Sequence, residues 1–245
     1  MSNQTNKVAL YTLMFSAFII MGGIGMIVPV MPSYLEVFGV GGQVLGFLIA
    51  GFAFAQFLLS PIAGDLSDRY GRKIFIVSGL IIYGLSQLLF GAADTVWMLF
   101  VARFLSGAGA AFVLPPVMAY VADITTIEER GKGMGMIGAA ISLGFTIGPG
   151  IGGILAGIDI AFPFYFAGGV ALAAAVLSAI ILPKVKKQET LQAAKPPREN
   201  LLKQLVRSTK TSYFIFLIIV FTFSFGIANF QATLSLYLDH KFNYS

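Results

Sequence analysis

Few residues in this 245-residue chain have the type and setting to do chemistry. Arg103 is the most unusual, because it lies well inside an otherwise apolar run, Trp97–Val121. A second group is the stretch Gly64-Asp65-Leu66-Ser67-Asp68-Arg69-Tyr70-Gly71-Arg72-Lys73. A third is made of glycines and prolines: Gly22-Gly23-Ile24-Gly25, then Pro29 and Pro32, and later Gly135, Gly144, Gly148, Pro149, Gly152 and Gly153. Much chemistry is excluded. There is no cysteine, so disulfides, thiol catalysis, zinc–cysteine sites and iron–sulfur ligation are out. The single histidine, His240, argues against a histidine metal site. No Gly-x4-Gly-Lys-Ser/Thr is present, so this chain supplies no ATP-driven step. The chain reads as a non-enzyme without metal or cofactor.

The elements that position these residues follow from composition. Hydrophobic residues make up 57% of the chain and charged ones 11%, against about 25% charged in a soluble domain. Mean hydropathy is +0.86. A bilayer core of about 30 Å needs about 20 mostly apolar residues in a helix. Seven runs qualify: Val8–Val30, Gln43–Ala63, Ile74–Ala92, Trp97–Val121, Met134–Ile158, Pro163–Leu182 and Ser212–Leu238. They are too long and too uniformly apolar for barrel strands. The first is longer than a signal-peptide core and has no small-residue cleavage site before Pro29. The fold class is therefore an all-α membrane protein.

Orientation comes from lysine and arginine. Of 16 such residues, 14 fall in one alternate set of connections: Lys7, then Arg69, Arg72 and Lys73, then Arg130 and Lys132, then the stretch after Leu182. That set reads as cytoplasmic, and the N-terminus with it. The net charge of +5 is thus a topology signal and not a nucleic-acid footprint. Pro29-Val30-Met31 and Pro116-Val117-Met118 lie 87 positions apart, and the same shift lays spans 1–3 over spans 4–6. Three spans is an odd number, so the second copy enters from the opposite side: an inverted repeat, as in many secondary transporters. Three parts result: a six-helix domain at 1–182, a basic linker at 183–211 with a preference for anionic lipid, and a seventh span in 212–245.

Each motif has a plain physical reading. Gly64 and Gly71 permit a tight turn. Asp68 precedes span 3 and can cap its N-terminus, and the whole loop can serve as a charged hairpin. Gly144, Gly148 and Gly152 recur at i, i+4, i+8 and make one smooth face for close helix packing. Pro149 frees the carbonyl of Phe145, and Pro29 and Pro32 free those of Gly25 and Val28. A guanidinium inside a span costs at least about 2.5–3.5 kcal/mol on insertion scales, so Arg103 faces the bundle interior or snorkels outward.

These motifs resemble those of the major facilitator superfamily, and in particular its twelve-span drug:proton antiporters. The loop Gly64–Lys73 meets every defined position of the signature G-x-L-x-D-R-x-G-R-K. The resemblance implies a gating latch in which Asp68, Arg69, Arg72 and Lys73 take part, with Asp123 as a plausible partner. Gly135, Gly144, Gly148, Pro149, Gly152 and Gly153 are similar to the fifth-helix antiporter motif, which implies a seal or hinge at the central cavity. Gly25, Pro29 and Pro32 are similar to the first-helix motif. Arg103 through Ala111 resembles the fourth-helix motif, with Ser106 where the family usually has Gln. Its arginine is implicated in proton transfer or substrate coupling. Similar exporters place a carboxylate in span 7, where this chain offers Gln231.

The reading is a secondary active transporter of a bacterial cell membrane. It exports hydrophobic or amphipathic drugs against protons by alternating access. A sugar or metabolite exporter of the same superfamily and a non-transporting membrane fragment are the alternatives. No Asp or Glu lies in the core of the seven spans, and arginine does not titrate, so either the proton site lies beyond residue 245 or coupling here departs from the family. Against a twelve-span relative, residues 1–211 resemble the first half and its linker and 212–245 the next helix. The expectation is a chain missing most of a C-terminal half.

Overall fold

The computed structural model describes residues 3–183 and 213–242, and every regular element in them is an α-helix. They are α1 (Asn3–Glu36), α2 (Gly42–Tyr70), α3 (Arg72–Gly91), α4 (Val96–Ile124), α5 (Ile127–Ala156), α6 (Phe162–Ile181) and α7 (Tyr213–Phe242). The first six are long and apolar enough to cross a membrane, and α7 carries a shorter apolar stretch, Phe214–Ile227. Residues 3–183 lie in one compact unit and α7 in another. The basic linker, with Pro196-Pro197, lies outside the described residues.

Helix ends run further than the apolar runs. Pro29 and Pro32 lie inside α1, Pro61 inside α2, Pro115 and Pro116 inside α4, and Pro149 inside α5. A proline in a water-soluble helix interior costs about 3 kcal/mol. In membrane bundles neighbouring helices satisfy the freed groups. Helix α1 accordingly passes through Pro29 and Pro32 and continues to Glu36. The turn expected between Gly64 and Gly71 shrinks. Gly64 is helical, α2 continues to Tyr70, and only Gly71 breaks the path, with φ +105°. That backbone conformation favours glycine. Asp68 accordingly sits in the last turn of α2, and the residue that precedes α3 is Gly71, without a side-chain cap. Helix α5 does have a cap: the Thr126 hydroxyl accepts from the Glu129 N–H at 3.3 Å.

Helix α1 packs on α5 and α6, α4 packs on α2 and α3, and α3 packs on α6. Exchanging the first three helices for the next three maps this set of pairs onto itself. That is the inverted repeat read from the 87-residue shift. Two layers of core fill the bundle along its length. One gathers Leu13, Ile20, Ile76, Tyr83, Val117, Tyr120 and Ala171. The other gathers Ile27, Met31, Leu48, Leu99 and the aromatic triplet Tyr34, Phe90 and Phe164. Within the triplet, Phe164 lies 4.7 Å from both other rings, centroid to centroid.

Candidate functional site

The glycine face of α5 is laid directly on the backbone of α1. A methyl group at Gly144 would sit 2.5 Å from the Phe18 carbonyl oxygen, and one at Gly148 would sit 2.6 Å from that of Gly22. At Gly152 it would meet the Met26 backbone, 2.9 Å from its Cα. The fit is reciprocal at Gly25, where a Cβ would lie 3.0 Å from the Phe145 carbonyl oxygen and 3.2 Å from Pro149 Cδ. The carbonyl that Pro149 frees is thus the one covered by the glycine of the first-helix motif. The two motifs are one seam, and side chains larger than hydrogen are excluded from it. Gly135 and Gly153 do not join it: both are exposed, and a methyl group at either would meet no atom within 4 Å. The symmetry-related pair α2/α4 repeats the device once, at Gly107, whose Cβ would be 3.0 Å from Ala55 Cβ and would collide with the Phe52 carbonyl.

At the end of the bundle where α2 meets α3, the structure brings three charged residues together. Arg72 pairs with Asp68 and, through Nε, with Asp123 at 3.2 Å. Its Nη1 donates to Ser67 Oγ at 2.9 Å, and the Ser67 hydroxyl donates to the Gly64 carbonyl at 2.8 Å. Asp123 comes from α4, so Arg72 ties the α2–α3 corner to the next helix. Arg69 pairs with Asp65 at 3.5 Å within α2 and does not enter this cluster. Lys73 follows Arg72 in the first turn of α3.

Arg103 is 3% exposed. It points into the bundle and does not snorkel. Its Nη2 donates to Met31 Sδ of α1, and its guanidinium carbon lies 5.1 Å from the Phe90 ring centroid and 5.9 Å from that of Phe52. Both are within the range of cation–π attraction. Among the described residues no carboxylate pairs with it. One turn away, Ser106 Oγ shares a hydrogen bond of 2.8 Å with Ser86 Oγ of α3. Gln231 lies on α7, with its side chain outside the described residues.

Sequence reasoning passed over Met31 and Gln87. Gln87 is 1% exposed on α3, one residue from Ser86. The available signal was that it is the sole amide side chain in its span.

A family profile described as Major Facilitator Superfamily matches residues 13–245. The chain belongs to this superfamily. Among curated relatives, Multidrug resistance protein 2 of Bacillus subtilis (strain 168) is 45% identical over 246 residues, which cover all of this chain and 62% of the relative. Quinolone resistance protein NorA of Staphylococcus aureus (strain MRSA252) is 36% identical over 239 residues, covering 96% of this chain and 60% of NorA. The chain thus spans about three fifths of the length of these relatives. Among solved structures, a bacterial homologue of the human lysosomal transporter Spinster, inward-facing and unoccupied, superimposes with a TM-score of 0.84 at 16% identity. That match covers 100% of this chain and 58% of the other. The human organic anion transporter MFSD10 gives 0.71 at 18% identity, covering 100% and 67%. At these identities the structures establish the fold: a six-helix bundle of the Major Facilitator type in a multi-pass membrane protein.

Proposed function

We propose that this chain forms the N-terminal bundle of a proton-coupled exporter of hydrophobic or amphipathic drugs, working by alternating access in a bacterial cell membrane with its N-terminus cytoplasmic. The observation that carries this reading is the α1/α5 seam. Fifth-helix and first-helix motifs that resemble those of drug antiporters meet here backbone to backbone, and the relatives named above are drug-resistance proteins. A seam with no room for a methyl group moves as one rigid unit, which suits a bundle that rocks as a body about a midplane site. The Arg72–Asp68–Asp123 cluster then holds the α2–α3 corner on α4 and shapes the cytoplasmic gating loop of this bundle. Arg103 serves as a fixed positive charge that a proton-binding or substrate group senses. None of the acidic residues in α1–α6 is buried, so no carboxylate of these six helices shares the bundle interior with Arg103.

The test is proton-driven efflux of a hydrophobic dye from membrane vesicles, made with the natural protein that carries these residues. Efflux that collapses when the proton gradient is dissipated, and that is lost in Arg103→Ala and impaired in Asp68→Asn, supports the reading. Efflux at wild-type rate in both variants overturns the residue assignments. Transport of sugars but not dyes favours the metabolite exporter, and no transport favours the inert fragment.

A further inference from the structure

The buried polar atoms between α3 and α4 do not balance. Arg103 Nε and both amide atoms of Gln87 are buried without a hydrogen-bond partner. A buried polar group left without a partner destabilises the fold, and more so when charged. In native interiors such groups are met by protein or by ordered water. Three orphan atoms on two neighbouring helices therefore call for a common explanation.

Their placement supplies it. On α3, Tyr83, Ser86 and Phe90 all face α4. A Cβ on Gly109 would lie 2.8 Å from Tyr83 Cβ, Ser86 Oγ bonds Ser106 Oγ, and the Phe90 ring underlies the Arg103 guanidinium. Gln87 is four residues from Tyr83 and three from Phe90, which puts it on the same face. Tyr83 sits beside both groups: the Gln87 amide approaches its hydroxyl as a weak hydrogen-bond donor outside good hydrogen-bond geometry, and the Arg103 charge acts on it. Arg103 Nε offers one N–H, while the Gln87 amide offers two N–H donors and a carbonyl acceptor. No direct bond joins them, since neither Arg103 Nε nor the Gln87 carbonyl oxygen has a partner. A water accepts from Arg103 and donates to the Gln87 carbonyl at once. An anion would satisfy the donors but face the Gln87 carbonyl with like charge, in a setting walled by Met31, Phe52 and Phe90.

We propose that Gln87 and Arg103 share bound water, and that Gln87 is thereby a positioning residue that holds the Arg103 guanidinium over Phe90. That Arg103 serves transport belongs to the reading above. The water link does not depend on it, and its test reads stability.

The test is a double-mutant cycle on melting temperature in detergent, using the natural protein, Gln87→Met, Arg103→Met and the pair. With a shared water, Gln87→Met lowers the midpoint by about 2–4 °C when Arg103 is present and does not lower it when Arg103 is already methionine. A dry, unsatisfied amide predicts the opposite: Gln87→Met raises the midpoint equally in both backgrounds, and that result overturns the proposal. Gln87→Glu keeps the cycle decisive if Gln87→Met does not fold. A carboxylate at 87 raises the midpoint only in the presence of Arg103, and equal shifts in both backgrounds overturn the proposal. In Gln87→Met that folds, dye efflux shows a raised KM or a lowered kcat, partly restored in Gln87→Asn. Unchanged kinetics would overturn the positioning role of Gln87.

Discussion

Arg72 and Arg103 place the same guanidinium in two settings. Arg72 sits at the end of the bundle with its side chain 17% exposed and meets two carboxylates and a hydroxyl. Arg103 sits in the interior with two aromatic rings, a thioether and no carboxylate among the described residues. The first arrangement is stable and replaceable: ion pairs of this exposure contribute about 0.2–1 kcal/mol each. The second works against stability, because dispersion and cation–π contacts of about 2 kcal/mol do not offset removing a full charge from water. Arg72 has carboxylate partners on two helices, whereas Arg103 is a buried cation with none among the described residues.

The sharpest way to break the contrast is at Arg103. In Arg103→Met the apolar contacts remain and the charge goes. Coupled efflux should fall at least about 10²-fold, as for loss of a preorganised charge at a reacting site, while the melting temperature stays level or rises. Next in size is the seam, which should be sensitive only where it is closed. Gly148→Ala and Gly152→Ala force backbone displacement and should each cost about 1–3 kcal/mol of stability. Gly153→Ala, one residue along but open to its surroundings, should be neutral or stabilising by up to about 1 kcal/mol from helix propensity. Thermal unfolding in detergent distinguishes them, and equal losses at 152 and 153 would contradict the seam. Smaller again is the latch. Arg72→Lys keeps the charge but loses the planar fork that serves Asp68 and Asp123 together, so stability should drop by less than about 1 kcal/mol. The larger change should appear in the distribution between inward- and outward-facing states, read by accessibility labelling. The smallest effect belongs to Arg69→Lys, whose ion pair with Asp65 lies within a single helix. Loss there should be at most about 0.5 kcal/mol and should vanish in high salt.

The sequence carried the six spans, their pairing by inverted repeat and the residues of the Arg72 cluster, because length, hydropathy and charge placement are strong one-dimensional signals. Helix ends were not readable in the same way. Pro29, Pro32 and Gly64 look like breakers, but α1 and α2 pass through them because neighbouring helices supply what the isolated segment lacks. The same limit hid the seam: spacing shows that Gly144, Gly148 and Gly152 share a face, not that α1 covers it at Gly22 and Gly25. Asp68 reads as a cap when α3 is viewed alone, and only the three-dimensional corner gives it to Arg72. Gln87 was missed because one uncharged amide leaves the mean hydropathy of its span high, and its isolation is visible only once its neighbours are known.

The role proposed for Arg103 in transport implies a cation that serves function at the expense of stability. Arg103→Met, assayed side by side for proton-driven dye efflux and thermal unfolding, tests this most directly. The expected result is efflux abolished with a melting temperature equal to or above wild type. A melting temperature well below wild type, with efflux falling only in proportion to folded protein, would contradict it and make Arg103 a structural residue.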